Sequence, residues 1–144
     1  MRFQLGAAAL AFCALLASRS SAAEPVLVIV NESNPVSTMS AQDVSKAFMK
    51  KLKSWPDGVE VIAVDLKESS AARESFSRQI HDKPSSAVKA YWQRMIFSGR
   101  EVPPPEKSTS AEVVAFVRAN RGAIGYVAAG TVLGGGVKVI QIAR

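Results

Sequence analysis

Val26-Leu27-Val28-Ile29-Val30 is an unbroken apolar run dominated by β-branched residues, and it constrains the fold more than any other stretch of the chain. Such a run fits a strand buried on both faces, which in turn requires helices on either side of a largely parallel sheet. The polar loop Asn31-Glu32-Ser33-Asn34-Pro35 follows. Ser40 with Asp43 three residues on marks a helix start, and Val44, Ala47, Phe48 and Leu52 then share one helical face. After the turn Trp55-Pro56-Asp57-Gly58, Val59 to Val64 reads as a second buried strand, so the first third predicts a βαβ unit with a right-handed crossover.

The remainder continues the alternation. Lys67-Glu68-Ser69-Ser70 leads into a helix over Ala71 to His81 with Ala72, Phe76 and Ile80 inward. Pro84-Ser85-Ser86 starts another, whose stripe of Val88, Tyr91, Trp92, Met95 and Ile96 has the spacing of a core-facing helix side. Pro103-Pro104-Pro105 is a stiff connector. Ser110 is placed to cap a helix with Val113, Phe116 and Val117 inward, ended by Gly122 before the strand Ala123 to Val127. Gly134-Gly135-Gly136 turns into a last strand, Val137 to Ile142, whose Lys138 and Gln141 suit an exposed edge.

The N-terminus sets the compartment. Met1-Arg2, an apolar stretch from Leu5 to Ala17 and the small polar segment Ser18 to Ala23 form a secretory signal, with cleavage expected after Ala23. Residues 24–144 are then expected to form one domain of 121 residues, periplasmic or secreted, with no membrane insertion once the signal is gone. The single cysteine, Cys13, leaves with the signal, which excludes disulfides, a Cys-ligated metal and a thiol nucleophile. Arg2 and Arg19 leave too, so the net charge falls from +6 to about +4. That balance favours anionic ligands only mildly. No basic cluster is interleaved with aromatics, so nucleic acid is not an expected partner.

In open α/β sheets, ligands bind beyond the carboxyl ends of strands, where loops enter helix N-termini. Two loops meet that description: Ser33 to Ser40, carrying the hydroxyls of Ser37, Thr38 and Ser40, and the turn after Asp65, carrying Ser69 and Ser70 with Arg73 in the first turn. A helix N-terminus with serines and an arginine suits an oxyanion such as phosphate or sulfate. The same serines also serve as structural caps, and Arg73 has Glu68, Glu74 or another carboxylate as a partner. His81, the only histidine, has no nucleophile motif beside it, and no ligand cluster marks a metal. A non-catalytic protein without cofactor is expected.

Taken in order, Val30 to Val36, Met39-Ser40, Ala47 to Lys50, Trp55 to Gly58, Arg73 to Phe76, Tyr91-Trp92 and Gly122 to Val127 resemble the phosphate-type substrate-binding proteins of ABC transporters, over nearly all of the exported part. The resemblance implies a type II periplasmic-binding fold, of which 121 residues provide about one lobe: an α/β lobe with a mostly parallel central sheet flanked by helices and a C-terminal edge strand. It also implies solute binding in uptake or sensing. In that family a Gly-Ser-Gly-Thr turn holds the phosphate. Here it corresponds to Ser69-Ser70-Ala71-Ala72, and the family's arginine position falls on Leu66. Two lobes normally enclose the ligand, so one lobe needs a second copy or a partner protein to close the site. The alternative is a sensor-accessory or protein-interaction domain that has lost its ligand.

Overall fold

The computed structural model describes residues 24–143; the expected signal segment, residues 1–23, lies outside them. The elements are β1 (Val26–Asn31), β2 (Thr38–Ser40), α1 (Ala41–Phe48), β3 (Ile62–Ala63), β4 (Asp65–Leu66), α2 (Ala71–Phe76), α3 (Ser85–Phe97), β5 (Glu106–Lys107), α4 (Ser110–Ala119), β6 (Ala123–Ala128), β7 (Val137–Val139) and β8 (Gln141–Ala143). A π-helical turn, Ser77–His81, carries α2 onward.

The central sheet has the order β3-β6-β1-β7. Strands β3, β6 and β7 run one way, and β1 runs against both of its neighbours, with Val28 opposite Tyr126 and Ile29 opposite Val139. The α/β lobe with mostly co-directional strands and a C-terminal edge strand is therefore present. The βαβ unit expected at the start is not, because β6 lies between β1 and β3 and β1 is antiparallel. Burial on both faces is legible in a strand's composition, whereas its partner here lies almost a hundred residues away.

Gly125 and Tyr126, adjacent on β6, point to opposite faces. On one face α4 lies so close that a Cβ at Gly125 would come within 2.6 Å of Val113 Cγ1. On the other, the Tyr126 ring stacks on Phe76 of α2 at 3.8 Å and packs against Phe48 of α1. One core, including Ile29, Val30, Val44, Phe48, Leu66, Val117 and Ile124, fills both layers. Asn31 ties β1 to α4 by donating from Nδ2 to the carbonyls of Val117 and Arg118 at the helix end.

Four local expectations change, the first being that the last strand, expected over Val137 to Ile142, divides into β7 on the central sheet and β8 in parallel with β2. The strand expected over Val59 to Val64 is reduced to β3, after which β4 pairs with β5 in a separate parallel ladder. Thr109, not Ser110, caps α4 in a full capping box with Glu112, and Ser110 Oγ instead accepts from the Ala128 amide of β6. On α3 only Val88 and Trp92 of the apolar stripe are buried; Ile96 is 53 % exposed and Phe97 96 %. The helix lies at the periphery, so its apolar side outruns the surface available to cover it. Among the described residues no helix is long and apolar enough to cross a membrane.

Candidate functional site

Beyond the carboxyl end of β3 the chain passes through β4 and a turn into α2. The turn closes with the Ser70 amide on the Lys67 carbonyl, and Ser70 Oγ accepts from the Arg73 amide as the helix cap. The amides of Ala71 and Ala72 have no acceptor among the described residues, so the first turn presents two open donors beside the Ser70 hydroxyl. Ser69 is exposed and Ser70 half-buried.

Arg73 is buried, and its side chain leans back along the helix toward the turn, as helical geometry directs. Its Nη1 donates to the Leu66 carbonyl at 2.6 Å and to Glu106 Oε2 at 2.9 Å, while Nε lies 3.4 Å from Asp65 Oδ1. The Nη2 group makes no hydrogen bond among the described residues. Glu68 and Glu74, the neighbours in sequence, are not its partners: Glu68 pairs with Lys89, and Glu74 with Arg78 and Ser85. Glu106 arrives through the β4–β5 ladder and is 47 % exposed at its side chain.

Asp65 is the buried centre of this cluster. Its Oδ1 accepts from the Tyr126 hydroxyl and, at 2.9 Å, from the Leu66 amide. Burial holds its carboxyl above the ordinary carboxylate range, although Arg73 and the Tyr126 hydroxyl pull the other way. The same burial, with Asp65 alongside, pushes the Tyr126 hydroxyl up, so it remains a donor. This network is charge-matched structure, and its outward edge is Glu106 with the first turn of α2.

The other predicted loop lies elsewhere. Ser40 caps α1 by accepting from the Asp43 amide, and the Ser37 carbonyl accepts from Gln141 at the start of the β2–β8 ladder. Thr38 and Ser40 line a cavity of about 560 Å³ with Val36, Leu52, Trp55 and the Asp43 carboxylate. Ser69, Ser70 and Arg73 are not in its wall. The structure thus brings Ser69, Ser70 and Arg73 together and separates them from Ser37, Thr38 and Ser40. An apolar cavity with a carboxylate in its lining is poorly suited to an anion.

His81 is half-buried. It meets Phe76 edge-on and hydrogen-bonds through Nδ1 to Ser45 Oγ at 2.7 Å. Burial, then Arg73 and Lys83, lower its pKa to about 4, so it is neutral at pH 7. Sequence reading passed over Glu106 and Tyr126. Glu106 sits in a two-residue strand with no periodic signal, and Tyr126 looked like any core aromatic.

Comparison with known proteins follows the same lines. The structure is similar to an ABC-type phosphate transport receptor from Vibrio cholerae, with a TM-score of 0.64 at 20% identity over 83% of this chain and 46% of that one. It is also similar to PstS from Borrelia burgdorferi, with a TM-score of 0.59 at 10% identity over 84% and 48%. The chain thus spans less than half the length of either. No curated protein matches it. A family model described as the PBP superfamily domain matches residues 16–138, so the chain belongs to the PBP superfamily.

Proposed function

We propose that this chain is an exported, non-catalytic recognition lobe that takes a small oxyanion, phosphate or sulfate, at the start of α2. The observation that carries the reading is the placement of a half-exposed carboxylate, Glu106, on the Arg73 guanidinium, beside open donors at Ala71, Ala72 and Arg73 Nη2. The chain holds its own anion where an external one would bind. Ser69 and Ser70 would complete the contact, while Ser37, Thr38 and Ser40 lie outside it. The similarity to a phosphate transport receptor supports the choice of ligand.

Because Glu106 competes for the same guanidinium, the native affinity is expected to be weak, in the millimolar range or about −4 kcal/mol. A second copy or a partner protein, in uptake or sensing, would raise it by excluding water from the open side. Calorimetry with phosphate and with sulfate tests this directly. Glu106→Gln should tighten binding several-fold, and Ser70→Ala should weaken it. Absence of heat in both the native chain and Glu106→Gln would remove the oxyanion reading. The expected cleavage after Ala23 is checked by the intact mass of the exported protein.

A second reading has its own support. Phe97 is 96 % exposed beside Ile96 at 53 % on α3, an apolar projection suited to a protein partner. Under it the lobe has kept its fold, lost its solute and become a sensor-accessory domain. The same calorimetry separates the two.

A further inference from the structure

Apart from the Arg73 network, a cavity of about 370 Å³ opens between α1, the end of the π-helical turn and α3, lined by Ser45, Lys51, His81, Lys83, Tyr91 and Arg94 among others. Three of these are cations, and none is a carboxylate. Lys51, Lys83 and Arg94 form no ion pair among the described residues. Their neighbours behave differently. Lys50 and Lys53 flank Lys51 and share Glu101.

The backbone contributes to this arrangement. Among the described residues, only Lys50 and Asp82 combine a side chain with positive φ, at 57° and 55°. Each stands immediately before a lysine of the cavity, Lys51 or Lys83. Left-handed backbone at a non-glycine residue persists where surrounding structure holds it, often at binding sites. Each cation also lies near a helix C-terminus, whose partial negative charge offsets it only in part. Of these cations, Lys83 acts on His81: after burial, Arg73 of α2 and Lys83 depress its pKa.

We propose that this cavity is a binding site for a small soluble anion carrying two or more negative charges, of the phosphate type, such as pyrophosphate. Three cations from three separate segments match a polyanion better than a single charge, and the volume lies within the range of small-molecule sites. Ser45 and Tyr91 add hydroxyls to the lining. The inference is independent of the site at α2, with which the cavity shares no lining residue.

The test is calorimetry of the purified full chain with sodium pyrophosphate at low ionic strength. Saturable binding is expected, weakened at least tenfold in Lys83→Gln/Arg94→Gln. Removing the same two charges elsewhere, in Arg100→Gln/Lys138→Gln, should leave it within twofold. As the sole histidine, His81 gives an unambiguous NMR signal. The charged groups around it are Arg73, Asp82, Lys83, Lys51 and Arg94, and an anion among these cations should raise its pKa. No heat, equal weakening in both charge variants, or binding without a change at His81 would each overturn the proposal.

Discussion

Two regions, the network at the start of α2 and the cavity at the end of the π-helical turn, handle positive charge in opposite ways. In one, Arg73 is buried against Asp65, Glu106 and the Leu66 carbonyl, with Tyr126 completing the set. In the other, Lys51, Lys83 and Arg94 surround a cavity without a carboxylate. A buried charge must be matched within the chain, because desolvation would otherwise exceed any gain from packing. Cations left unmatched at a wet cavity keep their attraction for something outside. The first arrangement therefore contributes to the fold and offers a ligand only its outward edge, at Glu106 and the first turn of α2, whereas the second is available to a ligand throughout. Substitutions should separate the two by their effect on stability.

The largest effect should come from Arg73→Met. It strands Asp65, which is buried, and should cost about 3 kcal/mol or more in urea unfolding. The pH dependence gives a sharper reading. A carboxyl whose folded pKa is raised binds its proton more tightly in the fold, so its contribution to stability grows as pH falls from that raised value toward its unfolded one. Removing Arg73 enlarges the shift, and the variant should recover stability between neutral and mildly acid pH. Asp65→Asn in the same background should remove that recovery. If Arg73→Met were nearly neutral, the network would not be structural and the contrast between the two regions would fail.

Tyr126→Phe should come next, at about 2 kcal/mol. It keeps the stack on Phe76 while withdrawing the hydroxyl that donates to Asp65 and accepts from the Leu66 amide. Thermal unfolding at pH 7 measures it. A loss under half a kcal/mol would mean that water replaces the hydroxyl.

His81 gives the third effect, opposite in sign to that of Asp65. Its folded pKa of about 4 lies below the ordinary 6.5, so its contribution is present above pH 6.5 and lost as pH falls toward 4. After allowance for partial exposure, the loss should be on the order of 1–2 kcal/mol. His81→Gln should flatten that limb of the stability profile.

How far the two regions could be read in advance follows from how local their signals are. Ser40 and Ser70 are found as caps because each bonds an amide three residues away. The alternation of strand and helix is equally local. Arg73, by contrast, has Glu106 as its partner only because Asp65–Leu66 pairs with Glu106–Lys107, a ladder too short to show any period. The antiparallel setting of β1 depends on β6 and β7 from the end of the chain. The basic cavity is hidden differently. Lys51 alone looks like an ordinary cation at a helix end, and only the packing of α1 and α3 brings Lys83 and Arg94 to the same space.

The smallest effect on stability carries the most information about function. Lys83→Gln/Arg94→Gln should change unfolding free energy by no more than about 0.5 kcal/mol, because both side chains are exposed and neither has an ion-pair partner among the described residues. The sign should be slightly stabilising, since removing two like charges from one cavity relieves their repulsion. Added salt should shrink the difference between the native chain and the variant, as screening already weakens that repulsion. A loss near 2 kcal/mol instead would mean that Lys83 or Arg94 holds the fold together as Arg73 does, and the two regions would no longer differ in kind. Residues whose neutral replacement leaves the fold intact or strengthens it, while abolishing pyrophosphate binding, are the mark of a site whose unmatched charge is kept for a ligand at a small expense in stability.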